Sequence, residues 1–178
     1  MSYVEPHMKA ALDKHSLAEI PCGGECRMFR MSKPNTRTYL VQILFTPEGI
    51  ALMGDIRIGG GNGIVSGHGY GFDWFCGELG EDYLCEKFLP KVWVPEHDAK
   101  WCREEAKEEE SPEKKKELLR LADGLEHGEI SEEDIRIAFE GMGYDAGPDY
   151  TYDPVDAGWL CAVQQRFVQL WRESKCPR

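Results

Sequence analysis

The sequence predicts an α+β fold: a small antiparallel sheet of three to five strands packed by helices, with an acidic helical insertion and a C-terminal core helix. Three observations lead there. Thr38–Ile58 reads as two apolar runs, rich in β-branched and aromatic residues, joined by Thr46-Pro47-Glu48-Gly49. Past Pro95 the composition turns densely charged and rich in helix-formers. Near the end Val155, Trp159, Val163, Phe167 and Trp171 recur at intervals of four, the spacing of one helix face.

Taken in order, Met8, Ala11, Leu12 and Leu17 have helical spacing, which predicts a short amphipathic helix within residues 1–20, ended by Pro21. Cys22-Gly-Gly-Glu-Cys26 follows as a loop, and Arg27–Met31 alternates as a first strand before the turn chemistry of Ser32–Arg37. The hairpin comes next. Pro47 presets φ at its turn, Gly49 can take a positive φ, and Ile50, Leu52, Ile56 and Ile58 fall on one face of its second arm. Gly54-Asp55 interrupts that arm, which predicts a bend or a close backbone approach at Gly54. Gly59–Gly63 is a loop, Ile64-Val65-Ser66 a short returning strand, and Gly67–Gly71 another break.

The period then changes. Phe72, Trp74, Phe75, Leu79, Tyr83, Leu84, Phe88 and Leu89 suit two short helices on the sheet, with Asp73 capping the first and Glu81-Asp82 in the first turn of the second. Within the charged region, Ser111-Pro112 marks a helix start, and Leu118, Leu119, Ala122 and Leu125 its stripe, stopped at Gly128. Ser131 opens another, with Ile135, Ala138, Phe139 and Met142 as the buried face. Asp153 caps the last helix, on whose flanks Gln164, Gln165 and Arg166 are expected to meet solvent.

Length and 42% hydrophobic content suffice for one substantial core, so the expected organisation is a single domain over 1–178. Within it the β-rich core spans about 27–93 and is completed by the helix at about 154–173, while about 96–142 is inserted. No run of apolar residues is long enough to span a membrane, and the first residues lack the apolar stretch of a secretory signal, so a cytoplasmic location is expected. Thirty-two acidic against 21 basic residues give a net charge of −11, which repels phosphates and argues against direct nucleic-acid binding. Such a surface can instead attract a protein built to hold nucleic acid.

The seven cysteines, Cys22, Cys26, Cys76, Cys85, Cys102, Cys161 and Cys176, are odd in number and are expected as reduced thiols. Cys22 and Cys26 have the spacing of half a zinc site, with His97 and Cys102 as the available second half, but nothing repeats the pattern and no metal ligand is assigned. The glycines of 59–63 lack both the Lys-Ser/Thr ending of a P-loop and a GxGxxG spacing. His68, in a Gly-rich loop near Asp55, Asp73 and Cys76 in sequence, is the one histidine set for acid–base work, and Cys76 with His68 is the corresponding hydrolase-type pair. No catalytic residue or cofactor is assigned.

The order of Leu52-Met53-Gly54-Asp55, Phe72-Asp73-Trp74-Phe75, Tyr83–Phe88 and Trp159-Leu160-Cys161-Ala162-Val163 resembles a family of uncharacterised accessory proteins of tailed bacteriophages and prophages, over roughly residues 38–171. The resemblance implies a viral origin, hence the host cytoplasm, and transfers no catalytic residue. With it, the first functional expectation is a non-enzymatic host-defence antagonist of the anti-CRISPR or anti-restriction type. Glu104, Glu105, Glu108, Glu109, Glu110, Glu132, Glu133 and Asp134 would stand in for phosphates on a nucleic-acid-binding host complex. The second is sequestration of a nucleotide signal by Arg57, Gly60, Gly61, His68, Tyr70 and Trp74, with backbone amides on phosphate and a ring on the base. A Cys/His hydrolase and a structural or regulatory phage protein are the others, and self-association is left open.

Overall fold

The computed structural model describes residues 2–36, 39–54, 64–66 and 69–175, the middle short segment as backbone only. The fold is α+β, as its sequence predicts. It divides into two compact units, one of residues 1–90 with 152–178 and one of Lys91–Thr151.

In the first unit, helix α1 (Pro6–Leu12) leads into a meander of antiparallel strands: β1 (Ser16–Ile20), β2 (Arg27–Ser32), β3 (Val41–Phe45), β4 (Gly49–Gly54) and β5 (Ile64–Ser66), in that spatial order. Alternation fixes the register. Phe29 and Met31, Val41, Ile43 and Phe45, then Ile50 and Leu52 are buried on one face, with Phe29 opposite Ile43 and Ile43 opposite Leu52. The β3–β4 turn is held by Thr46, whose Oγ1 accepts from the amides of Glu48 and Gly49 at 3.2 and 3.0 Å, so Gly49 needs no positive φ. Gly54 does: its φ is +143°, and a Cβ there would lie 1.9 Å from the Leu40 carbonyl oxygen, the close approach its place in the strand predicts. Ile56 and Ile58 lie outside the described residues.

Two expectations at the N-terminus are corrected. The helix stops at Leu12, and Leu17 belongs to β1, so Arg27–Met31 lies in the second strand and not the first. Leu17, Ala18 and Glu19 have no strand preference of their own; pairing with β2 imposes it.

Helices α2 (Phe72–Phe75), α3 (Glu81–Phe88) and α7 (Pro154–Lys175) cover the apolar face. Phe29, Phe45, Phe72, Phe75 and Phe167 form one ring cluster, with Phe29 and Phe167 centroids 5.2 Å apart and edge to face. Asp73 does not cap α2, whose N-cap is Gly71, whereas Asp153 Oδ1 accepts from the amides of Val155 and Asp156 and caps α7 as expected. Gln164 is buried and Arg166 half-buried. The Arg166 Nη2 donates to the carbonyls of Asp13 and His15, tying the α1–β1 connection to α7.

The second unit holds three helices where the sequence suggests a pair: α4 (Pro95–Glu108), α5 (Pro112–Glu126) and α6 (Glu132–Met142), with a two-stranded ribbon of β6 (Val92–Trp93) and β7 (Tyr150–Thr151). Ser111 caps α5 with Pro112 at its first position, and Ser131 forms a capping box with Asp134. The core is Ala99, Cys102, Ala106, Leu118, Leu121, Ala122, Leu125, Ile135 and Phe139. Leu119 is exposed and Leu121 takes its place in the α5 stripe.

Candidate functional site

The second unit positions all eight predicted carboxylates, and it divides them. Asp98, at the start of α4, accepts from the Asp149 amide at 3.0 Å, and the neighbouring Tyr150 hydroxyl donates to Glu132 at the start of α6. At the other end the Tyr144 hydroxyl, just past α6, donates to Glu109 at 2.6 Å. The two helices therefore run in the same direction, and about 16 Å of α4 separates its two ends. Glu108–Glu110 accordingly lie at the opposite end of the unit from Glu132–Asp134, with Glu104 and Glu105 between them along α4.

They also differ in what they are engaged with. Glu133 is paired with Arg136, which also holds Glu140, and Asp134 accepts from the Ser131 hydroxyl and amide, so both carboxyls are held below their ordinary range. Glu109 is held low by the Tyr144 hydroxyl and the Ser111 amide, while partial burial and that carboxylate push the Tyr144 phenol up to about 12. Glu104, Glu105, Glu108 and Glu110 make no side-chain hydrogen bond or ion pair with any described residue. Glu105 and Glu108 lie in the last turn of α4 and Glu110 just past it, where the negative end of the helix dipole opposes negative charge, and Glu104 immediately precedes that turn. Lys107 and Lys114–Lys116 lie close in sequence, but none forms an ion pair with them.

Beside α4 lies a cavity of about 230 Å³ lined by His97, Asp98, Trp101, Phe139 and the 146–149 segment. His97 Nδ1 lies 3.1 Å from Asp149 Oδ2, and Asp98, buried, also accepts from Trp93 Nε1 at 2.7 Å. Burial raises the Asp98 carboxyl above its ordinary range, and its two acceptor bonds limit that rise. The sequence offers one signal for this arrangement: an acidic residue in register with Cys102 and Ala106 on the buried stripe of α4.

Of the nucleotide-pocket residues, Arg57, Gly60, Gly61 and His68 lie outside the described residues. Tyr70 and Trp74 do meet, edge to face at 4.9 Å, and the Lys87 ammonium lies 5.6 Å from the Tyr70 ring. Both rings pack against the core of the first unit. Another cation proves to be the stacked one: the Arg27 guanidinium sits 4.1 Å from the Phe72 ring and 5.0 Å from that of Trp171, held by Glu19. Cys76 is half-buried, and burial with the Asp73 charge pushes its thiol up to about 11, away from nucleophile character.

The second half of the zinc arrangement does not form. Cys102 is fully buried in the core of its unit, its thiol pushed up to about 12, and His97 is engaged with Asp149. Among the described residues no group of three or more His, Cys, Asp or Glu side chains is placed to hold a metal ion. No helix of the described residues is long and apolar enough to cross a membrane. No protein-family model matches this chain, and comparison with curated proteins and with solved structures likewise finds no match.

Proposed function

We propose that the protein acts by binding, as a phage-type accessory protein that presents the carboxylates at the end of α4 to the basic, nucleic-acid-binding surface of a host complex. The observation that supports this reading is the charge at that helix end. Glu104, Glu105, Glu108 and Glu110 are unengaged by the described residues, and Glu105, Glu108 and Glu110 sit at the helix end, where the dipole makes negative charge unfavourable. Charge that costs local stability without an internal partner is the signature expected of a residue retained for an external one. The carboxylates at the start of α6 are spent on capping and on Arg136, so the contact surface is narrowed to the α4 end.

The test is capture from host lysate by the full chain and by a variant carrying Gln at 104, 105, 108 and 110. Capture that is lost in high salt, lost in the variant and competed by double-stranded DNA supports the reading, because DNA phosphates would occupy the same basic channel. Equal capture by the variant, or indifference to salt and DNA, overturns it.

A further inference from the structure

The connection between β1 and β2 carries a chemical feature that the binding reading does not use. The strands pair antiparallel up to Ile20 opposite Met28, and continuing that register by two steps sets Cys22 opposite Cys26. Only Gly23, Gly24 and Glu25 separate them. Gly24 has φ +71°, the left-handed conformation that lets so short a loop reverse, and a Cβ at Gly23 or Gly24 would meet nothing within 4 Å. The Cys22 Sγ already points across the turn, donating to the Cys26 carbonyl oxygen at 3.0 Å. Cys22 is exposed and Cys26 half-buried.

With the ladder spacing carried on past Ile20 and Met28, the Cα atoms of Cys22 and Cys26 would lie about 4.5 to 5.5 Å apart, inside the range of about 4.4 to 6.8 Å that a disulfide accepts. We propose that Cys22 and Cys26 form a redox modification site, a dithiol that low-molecular-weight disulfides such as glutathione disulfide convert to an intramolecular disulfide. The thiolate of one cysteine attacks a sulfur of glutathione disulfide, forming a mixed disulfide and expelling one glutathione thiolate. The second cysteine, losing its proton, attacks the protein sulfur of that mixed disulfide and expels the other glutathione. Two protein thiols are oxidised, one glutathione disulfide is reduced to two glutathiones, and the two protons end on those glutathiones. The product closes the β1–β2 turn covalently.

The remaining described thiols compete poorly. Cys85 and Cys161 approach to 4.0 Å, but both are buried between α3 and α7, where no external disulfide reaches them. Cys102 is interior and Cys76 half-buried. Intramolecular resolution at Cys22 and Cys26 is favoured because the second thiol is presented at high effective concentration.

The reduced full-length chain is treated with glutathione disulfide, quenched by alkylation, and read by intact mass and non-reducing peptide maps. The expected product is lighter by two hydrogens with Cys22 joined to Cys26, exceeding the mixed disulfide at those positions at least about tenfold. In Cys22→Ser, Cys26 keeps a stable glutathione adduct, and Cys26→Ser gives the reciprocal result at Cys22. A phenylarsine oxide titration adds a readout free of oxidation: one equivalent bonds both thiols of the wild type with loss of water, and the Ser variants fail to retain it. A wild type that accumulates glutathione on Cys22 or Cys26 without joining them, that keeps both reduced, or that links other cysteines overturns the proposal.

Discussion

The side-chain amide of Gln164, buried within α7, donates to the main-chain carbonyl of Phe75 at 2.8 Å. Phe75 ends α2, and its carbonyl has no further turn of helix to receive it. A residue 89 positions away along the chain supplies the missing donor, and the same amide nitrogen lies 3.5 Å from the Gly77 carbonyl. Gln164→Ala therefore removes a donor and leaves a buried acceptor unpaired, at a cost of about 1 to 3 kcal/mol. The expected result in urea is a lower midpoint with an unchanged slope. A midpoint equal to that of the wild type would show that water reaches the Phe75 carbonyl and that the bond is dispensable.

Gly54 tests the sheet from its other side. At φ +143° and with the Leu40 carbonyl oxygen 1.9 Å from where a Cβ would stand, Ala can be accommodated only by moving backbone. Gly54→Ala should destabilise the chain by more than about 2 kcal/mol, whereas Gly23→Ala, in open space, should change stability by less than about 0.5 kcal/mol. Thermal unfolding of the two variants side by side decides the matter, and equal effects would sink the close-approach account of Gly54.

How far the chain could be read from its sequence follows from the range of the interactions concerned. The β3–β4 hairpin, the Ser111 and Ser131 starts and the Asp153 cap were legible because each is decided within a few residues. Strand β1 was not: Ser16–Ile20 has a mixed burial pattern and helix-forming residues, and only its partner strand makes it extended. Gln164 falls on the flank of its helix by period alone, and its burial depends on where α2 ends. At the candidate site, the exposure of six of the carboxylates was legible, but the half-burial of Glu105 and Glu109 and the grouping of the set were not. Whether Glu109 answers Tyr144 or Glu132 answers Tyr150 is settled by the parallel course of α4 and α6, which no local pattern encodes.

Asp98 gives a pH dependence of defined sign. Burial raises its carboxyl above the unfolded value, so the folded chain holds this proton more tightly than the unfolded chain. The associated stability is fully present below the unfolded carboxylate range of about 4 and is lost as pH rises through the raised value. Asp98→Asn cannot titrate, and because Trp93 Nε1 and the Asp149 amide address different carboxylate oxygens, one of these two donors would face the Asn NH2 group instead of an acceptor. The variant should be less stable than the wild type, with a larger deficit at acid pH than at neutral pH. Urea midpoints for both proteins across that window check this, and a deficit that grows toward neutral pH would reverse the assigned sign.

Glu108 closes α4, with Glu109 as the capping residue, so its carboxylate faces the negative end of the helix dipole. Stability and binding should therefore respond to its replacement in opposite directions. Glu108→Lys places a cation where the dipole favours one and should raise stability by about 0.3 to 1 kcal/mol. On the proposed reading it also inverts a charge that meets a basic partner, so partner capture should fall and the salt dependence of what remains should flatten. A matched change at Glu133, which is paired with Arg136, should instead lower stability slightly and leave capture intact. Melting temperatures and salt-graded capture for the two variants separate the roles: if Glu108→Lys melts higher and still captures as the wild type does, the carboxylates at this helix end are not the binding surface.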